Sequence, residues 1–311
     1  SSDNCTDRDT QSVIIHPNPV VDFTANDACA EDDTVFTQNN TTGASRYEWT
    51  LGTGNPSTQV APSKVFAQAG TYDYQLIAIS SQGCRDTSEQ QVEVFTKPTA
   101  AFTAADVCDG EMVSFTDQSQ NAQSYKWDFG DGNSSTQTEP THTYADSGSY
   151  PVRLIVESAE GCRDTLVETV RVNPLPDMGW QATTACAQDD STVFTNNSTL
   201  GDTYQWSFNT QGDSSTKENP GYLYPTGGSY NVELVVTTTE GCRNSLIKTV
   251  TVNYKPTADF GKQDVCLGDT IDFVDQSSIG GGSISTYAWD FDDAQGSATS
   301  PSPSYSYASS G

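Results

Sequence analysis

The chain has 311 residues, with 14 Lys and Arg against 41 Asp and Glu, which gives a net charge of −27. This surplus argues against nucleic-acid binding, because that affinity comes mostly from Lys and Arg on phosphates. No stretch approaches the roughly 18 consecutive apolar residues that would indicate a membrane-spanning helix. Hydrophobic residues make up 34% and aromatic residues 10%, a balance that favours small folded units with aromatic cores over disorder.

An internal repeat runs along the whole chain, with four landmarks in a fixed order. A first cysteine is followed by Tyr-x-Trp, then in three copies by Gly-x-Tyr and by Gly-Cys-Arg. The first cysteines recur at intervals of 79, 78 and 80 residues. The cysteines and tryptophans concerned are Cys29, Trp49, Cys84, Cys108, Trp127, Cys162, Cys186, Trp206, Cys242, Cys266 and Trp289. This period indicates a repeat architecture.

The landmarks divide the chain into four modules and a leading fragment. Residues 1–18 match the last hairpin of a module, and modules 1 to 4 are residues 19–97, 98–175, 176–255 and 256–311, the last without its two final strands. Joining the two ends leaves 9 residues missing, since the Gly-to-Cys distance is 14 in complete copies and 5 across the ends. We therefore expect the chain to be one period of a longer repetitive polypeptide.

Each module reads as a series of short strands. Residues 112–115, 125–129 and 152–156 alternate apolar and polar side chains, and clusters of Gly, Asn, Asp and Ser separate such runs. About seven short strands in 80 residues are typical of an antiparallel β-sandwich. The sequence therefore predicts an all-β fold with the tryptophan on the third strand as the core anchor between two sheets, in all four modules: Trp49, Trp127, Trp206 and Trp289.

Module 2 carries a recognisable family signature. Trp-Asp-Phe-Gly-Asp-Gly at residues 127–132, Thr-His-Thr-Tyr at 141–144 and Gly-Ser-Tyr at 148–150 resemble the PKD (polycystic kidney disease) repeat. The other modules keep the tryptophan and vary the loop after it. The resemblance implies immunoglobulin-like β-sandwiches, usually extracellular, and we expect them to follow one another end to end as a rod.

The cysteines occupy two kinds of turn in the expected sandwich. Cys29, Cys108, Cys186 and Cys266 follow the first strand, whereas Cys5, Cys84, Cys162 and Cys242 precede the last one. In one module these turns lie about 30–35 Å apart for strands of about ten residues, but a disulfide needs Cα atoms within about 7 Å. The exit end of one module adjoins the entry end of the next.

Intermodule disulfides are therefore the preferred pairing. The expected pairs are Cys29–Cys162 and Cys108–Cys242, with Cys186, Cys266, Cys5 and Cys84 bonded to neighbouring modules or units. Pairing inside a module and free thiols remain as alternatives. An even cysteine count in an acidic chain without a CxxC or Cys/His cluster favours disulfides over zinc.

Catalytic and metal sites are not expected from the remaining polar residues. Weak calcium candidates crowd the loop after the tryptophan, namely Asp128, Asp131, Asp290, Asp292 and Asp293. Their positions are not repeated as a dedicated calcium loop would require, so solvated acidic surface is the simpler interpretation and no cofactor is expected. Four small sandwiches offer no cleft for paired carboxylates, and we expect no enzyme activity.

Two further residue sets have a structural and a functional interpretation. His142 is expected to pack rather than act as a base, with Val65, Leu223 or Ser306 at its position in other modules. Thr34, Thr165, Ser191 and Thr270 follow an aspartate. These triplets resemble O-glycosylation acceptors of gram-negative bacteria that secrete PKD-rich adhesins by the type IX route.

The sequence favours a mechanical function. Short linkers and a constant pitch predict a stiff, disulfide-stapled spacer in an extracellular bacterial filament or cell-surface adhesin, with neighbouring copies of the module as partners and no nucleic acid or membrane insertion. One alternative is a carbohydrate- or protein-binding accessory module, for which Trp180 is the candidate exposed aromatic. Another is a protomer that polymerises when a strand of one subunit completes the split module of the next.

Overall fold

The computed structural model describes residues 6–210, 212–292 and 296–309. In these ranges every helix or strand assigned is a β-strand, so the all-β prediction is confirmed. The described residues include no helix that is long and apolar enough to cross a membrane. The chain divides into two compact units, residues 1–172 and 173–311. Two residues of interest, Cys5 and Asp293, lie outside the described ranges.

Module 1, in the first unit, encloses its core between two sheets. One sheet has the strand order β1-β3-β5 and the other β2-β7-β6-β4. The pairing is antiparallel except between β2 and β7, which run parallel. The strands are β1 (Phe23–Ala25), β2 (Ala28–Cys29), β3 (Thr34–Asn39), β4 (Arg46–Leu51), β5 (Ser63–Val65), β6 (Gly70–Ile79) and β7 (Arg85–Phe95).

Module 2 follows with the same architecture and a five-stranded sheet. That sheet has the order β13-β12-β15-β16-β9, and it faces two small ladders, β10-β14 and β11-β8. The strands are β8 (Phe102–Thr103), β9 (Val107–Cys108), β10 (Met112–Ser114), β11 (Thr116–Asp117), β12 (Ser124–Asp128), β13 (Ser134–Ser135), β14 (Thr141–Thr143), β15 (Gly148–Glu157) and β16 (Arg163–Asn173).

The second unit holds modules 3 and 4. Module 3 has sheets of order β17-β18-β21 and β20-β19-β22-β23, whereas the described part of module 4 forms two-stranded ladders. The strands are β17 (Trp180–Ala182), β18 (Thr192–Asn196), β19 (Thr203–Ser207), β20 (Ser214–Ser215), β21 (Gly221–Tyr222), β22 (Gly228–Thr237), β23 (Arg243–Val252), β24 (Phe260–Gly261), β25 (Ile271–Asp272), β26 (Val274–Asp275), β27 (Trp289–Asp290), β28 (Ser297–Ala298) and β29 (Ser304–Tyr305).

The tryptophan of the third long strand lies at the centre of each complete module. Trp49, Trp127 and Trp206 are fully buried, and the indole N–H of each donates to a backbone carbonyl 10 or 11 residues later. A buried indole that keeps its hydrogen bond anchors a core without leaving its N–H unsatisfied. Trp289 is only partly buried, and the described residues of module 4 include no counterparts of β15 and β16.

Candidate functional site

The first half of the candidate site is the turn that carries Cys29. Strand β2 pairs in parallel with the end of β7, so that Cys29 lies opposite Phe95, and Ala30 N donates to Phe95 O over 3.0 Å. The carboxylate of Asp33 accepts from Cys29 N over 3.1 Å. Glu31 takes the left-handed conformation with φ 71°. These contacts hold the Cys29 turn against the last residues of module 1.

The second half is the hairpin turn between β15 and β16 of module 2. Gly161, with φ 88°, allows the chain to reverse, and Ser158 N donates to Cys162 O over 2.8 Å. Asp164 follows on β16, and its Oδ2 accepts from Ala100 N over 2.8 Å. This carboxylate therefore fixes the turn to the start of its own module.

A disulfide joins the two turns. Cys29 and Cys162 are bonded with Cα atoms 5.7 Å apart, so the start of module 1 is tied to the last turn of module 2 within the first unit. Cys108 and Cys242 are also disulfide-bonded, and their expected bond to each other stays a prediction. Of the cysteines in the described ranges, Cys84, Cys186 and Cys266 are free.

Lys97 lies in the linker between the two modules and contacts a carboxylate on each side. Its Nζ is 2.5 Å from Asp32 Oδ2 in module 1 and 3.7 Å from Asp164 Oδ1 in module 2. The hydrogen bond to Asp32, together with the charges of Asp32, Asp164 and Glu31, raises the pKa of Lys97 above its ordinary value. One lysine thus bridges the two turns that the disulfide joins.

Sequence reasoning did not single out Lys97. A signal was available, because Lys97 and Lys255 each precede the proline that ends a linker, and Asp32 and Asp189 each lie three residues after a cysteine. No argument from residue type alone could join them, since the ion pair depends on how the cysteine turn folds back on β7.

The calcium candidates Asp128, Asp131 and Asp290 contact other protein groups instead of converging on one site. Asp128 pairs with Arg153 over 3.1 Å, and Asp131 lies 2.7 Å from His142 Nε2. Asp290 accepts from the backbone N–H of Asp292 over 3.0 Å. Within the described residues, no three His, Cys, Asp or Glu side chains come together as a metal site, and Asp293 lies outside them.

His142 is a packing residue with one polar contact, and its expected counterparts were wrong by one position. Its ring stacks on Phe129 with centroids 4.4 Å apart. Tyr222 stacks in the same way on Phe208, and Tyr305 on Phe291. The strand register pairs Val113 with His142 and Val35 with Lys64. The equivalents are therefore Lys64, Tyr222 and Tyr305 rather than Val65, Leu223 and Ser306.

None of the contacts described above between modules 1 and 2 involves the glycosylation candidates or Trp180, although Thr34 and Thr165 follow Asp33 and Asp164 in the sequence. Of the glycosylation candidates, Thr165, Ser191 and Thr270 are exposed and Thr34 is partly exposed; their modification stays a prediction. Trp180, the candidate exposed aromatic, is 2% exposed and packs edge-on against Trp206 with centroids 5.5 Å apart. Core packing accounts for Trp180, so it offers no face to a ligand.

Comparison with known proteins follows the same modular division. The family model described as PKD domain matches residues 16–94, 95–174, 171–254 and 253–311. A microbial collagenase of Vibrio alginolyticus is 44% identical over 71 residues, which is 21% of this chain and 9% of the collagenase. The pre-pro-metalloprotease PrtV of Vibrio cholerae is 44% identical over 64 residues, 20% of this chain and 7% of the protease.

A solved structure gives a match of similar extent. The PKD1 domain of Vibrio anguillarum Epp is 33% identical, with a TM-score of 0.24, and the match covers 25% of this chain and 95% of that domain. The matched segments thus span less than a tenth of the two curated relatives, so those proteins' activities are not carried over by the likeness.

Proposed function

The chain belongs to the PKD domain family, whose model matches four successive segments from residue 16 to residue 311, and from this premise we propose that it is a structural repeat of an extracellular bacterial filament or long surface adhesin. In this role it is a stiff, disulfide-stapled spacer that holds another part of the assembly away from the cell. Catalysis is not part of the proposal.

The disulfide Cys29–Cys162 is the observation that carries the proposal. It closes a loop with a sequence separation of 133 residues, which includes most of modules 1 and 2. Force applied to the two ends of the chain would pass through this bond. The strands between Cys29 and Cys162 would therefore bear little of that force. On the chain-entropy model, a loop of this size contributes about 5 kcal/mol to stability.

Charge and redox chemistry support a role outside the cell. Structural disulfides persist in oxidising compartments and are rare in the cytosol of most organisms. A net charge of −27 keeps copies soluble and mutually repelling. The proposal includes secretion by the type IX route, which is supported by the resemblance of the triplets at Thr34, Thr165, Ser191 and Thr270 to O-glycosylation acceptors.

Single-molecule stretching of the whole chain tests the staple. In the oxidised chain the loop between Cys29 and Cys162 stays closed, whereas the double variant Cys29→Ser/Cys162→Ser should release about 45 nm of additional contour length, at about 3.3–3.6 Å per residue. A matched control is Cys186→Ser/Cys266→Ser, because both cysteines are free in this structure. Equal extension and equal unfolding force in all three chains would contradict the proposed load path.

One alternative is a protomer that polymerises by strand complementation. Val13 and Ile15 are 85% and 90% exposed, while Val170 and Val172 on β16 are each 3% exposed. Two apolar side chains are thus available for contact with another copy. The mass of the native chain after reduction and denaturation separates the cases, since a band near 33.4 kDa indicates a polymerising subunit and a much larger band one giant polypeptide.

The other alternative, a carbohydrate- or protein-binding accessory module of a secreted protein, is supported by the relatives, since the matched segments belong to a microbial collagenase and a metalloprotease. The one aromatic that suggested it, Trp180, is buried in the core of module 3. It stays a prediction, and glycan binding by the intact chain would be its test.

A further inference from the structure

The linkers between modules are of two kinds that alternate along the chain. The first and third place one residue between two prolines, whereas the second and fourth carry a lysine before a single proline. These linkers are residues 17–19, 96–98, 174–176 and 254–256. The cysteine turns alternate with the same period, as Ala-Cys-Ala at Cys29 and Cys186 and Asp-Val-Cys at Cys108 and Cys266. The repeat therefore has a period of two modules, and a lysine linker follows each Ala-Cys-Ala module.

In the first unit the linker lysine reaches both halves of the joint. Asp32 lies three residues after Cys29, and Asp164 lies two residues after Cys162. Lys97 Nζ is 2.5 Å from the first carboxylate and 3.7 Å from the second. The lysine side chain is 25% exposed, so these ion pairs are partly shielded from water and their attraction is stronger than between fully exposed charges.

In the second unit, the linker lysine and the cysteine turn make the same contacts, although Cys186 is free. Lys255 Nζ is 2.5 Å from Asp189 Oδ1, and Asp189 lies three residues after Cys186. Ala187 N donates to Asn253 O over 2.9 Å, as Ala30 N donates to Phe95 O in module 1. The lysine–aspartate pair thus assembles where Cys186 is unbonded, so it does not require the disulfide.

The hairpin turn of module 3 carries a different residue at the position of Asp164, and this residue contacts the Pro-x-Pro linker at residues 174–176. Asn244 occupies the position of Asp164, two residues after the cysteine of Gly-Cys-Arg. Its Nδ2 donates to Pro176 O over 2.9 Å. Leu175 stands where the linkers at residues 96–98 and 254–256 carry lysine. An amide bonded to a carbonyl therefore stands in module 3 at the position where modules 1 and 2 have the carboxylates of Asp86 and Asp164, which accept from Val21 N and Ala100 N.

We propose that Lys97 is the specificity-determining residue of its joint: by binding Asp32 and Asp164 together, it aligns the two turns so that Cys29 forms its disulfide with Cys162 rather than with Cys242, whose turn carries Asn244 in place of the aspartate. The inference rests on the staple of the proposed function and names the residue that selects its partner.

The selection acts while the bond forms. Cys84, Cys162 and Cys242 lie in identical Gly-Cys-Arg turns, so sequence next to the thiol does not distinguish them. In the presence of oxidised glutathione, the thiolate of one cysteine attacks the mixed disulfide between glutathione and the other. The protein sulfur–sulfur bond forms, two electrons and two protons pass to glutathione, and two glutathione thiols leave.

Oxidative refolding of the full chain tests the proposal. The reduced, unfolded chain is refolded in reduced and oxidised glutathione, and its pairs are mapped by mass spectrometry of peptides. Lys97→Met keeps the length of the side chain and removes the charge, and Lys126→Met, at an exposed position on β12, is the matched control. We expect Lys97→Met to lower the ratio of Cys29–Cys162 to Cys29–Cys242 about threefold to tenfold, as two partly exposed ion pairs would.

Salt and a second variant sharpen the result. In 1 M NaCl the ratio should fall for the wild type and for Lys126→Met but not for Lys97→Met, because the ion pairs are already absent there. Asp164→Asn, which copies Asn244, should give a smaller fall. Hydrogen exchange inside modules 1 and 2 checks that each variant folds.

The outcomes separate the two proposals. If Lys97→Met folds and pairs like the wild type, with the same salt response, the role of Lys97 is wrong and the staple stands. If the wild type itself does not re-form Cys29–Cys162, the staple falls, and the role of Lys97 falls with it.

Discussion

Residues 34–37 of module 1 and 192–195 of module 3 have the same sequence, Thr-Val-Phe-Thr, yet they bury opposite faces. In β3 the exposed phenylalanine, Phe36, has 64% of its surface accessible and its neighbour Val35 none, whereas in β18 Phe194 is fully buried. The ladders show a shift of one residue, since Ala25 lies opposite Thr37 in module 1 and Ala182 lies opposite Phe194 in module 3. A shift of one residue moves every side chain to the other face.

Spacing to the flanking landmarks decides the register. Phe36 precedes Trp49 by 13 residues and Phe194 precedes Trp206 by 12. On the other side, Cys29 precedes Thr34 by 5 residues and Cys186 precedes Thr192 by 6. Because the cysteine turn and the tryptophan are fixed in both modules, the strand between them slides by one residue. The lesson is that four residues of strand sequence do not determine which face is buried.

In module 1 the large core side chain comes from β6, whereas in module 3 it comes from β18. Thr37 occupies the position of Phe194, and Tyr74 occupies the position of Val232, since each lies two residues before the leucine that pairs with the tryptophan. Tyr74 and Val232 are both fully buried. A large ring on β6 in module 1 thus accompanies the small side chain on β3, and the total volume is kept.

The largest expected effect is a contrast between the two phenylalanines. Phe194→Ala should destabilise module 3 by about 3–5 kcal/mol, as for a fully buried ring. Phe36→Ala should change module 1 by less than about 0.5 kcal/mol, as for an exposed side chain. Hydrogen exchange of the full chain in urea, read peptide by peptide, measures each module against the others. Similar losses in both modules would mean that Phe36 is buried in solution.

A double-mutant cycle sharpens the comparison of the two cores. Thr37→Phe alone should overpack module 1 by about 1–3 kcal/mol, and Tyr74→Val alone should leave a cavity of similar or larger cost. The double variant, which copies module 3, should recover at least about 1 kcal/mol of the summed loss, because the two sites exchange one ring. Strict additivity in the same exchange experiment would show that the sites do not share space.

The sequence predicted the fold better than it predicted the strand register and the ion pairs around Lys97. Runs that alternate apolar and polar residues predict strands, and a tryptophan at a fixed place in each module predicts the centre of a core. Both predictions hold in either register of a strand. The all-β fold and the burial of Trp127 therefore follow from the local sequence pattern. The register of Phe36 could not be predicted, because it depends on spacings that differ by one residue between similar modules. Lys97 was missed for a related reason, since its partners are adjacent only after two turns fold.

Alkaline pH should destabilise module 1 through Tyr74, and burial likewise raises the pKa of Tyr144 in module 2 and of Tyr224 in module 3. Burial raises the pKa of Tyr74 to about 12, against about 10 for tyrosine in an unfolded chain. The unfolded state therefore ionises first, so this residue leaves stability unchanged below pH 10 and lowers it as pH rises from 10 through 12. Absorbance at 295 nm should show one late-titrating tyrosine fewer in Tyr74→Phe, whose module 1 should also resist alkali better. A titration identical to that of the wild type would rule this out.

The smallest expected effect is a gain in stability at the position where module 3 departs from its neighbours. Thr192, Val113 and Val35 occupy equivalent places and are all fully buried. The hydroxyl of Thr192 has no hydrogen-bond partner among the described residues, and an unsatisfied buried hydroxyl costs about 1–3 kcal/mol.

Thr192→Val, which has nearly the same shape, should therefore stabilise module 3 by about 1 kcal/mol, and Val35→Thr should destabilise module 1 by a similar amount. The matched pair matters because each substitution turns one module into the other at a single methyl or hydroxyl group. Urea dependence of exchange in both modules measures the two changes in the same chain. If Thr192→Val is neutral or destabilising while Val35→Thr is costly, the hydroxyl of Thr192 has a partner in solution, and the polar atom belongs to the core of module 3 instead of weakening it.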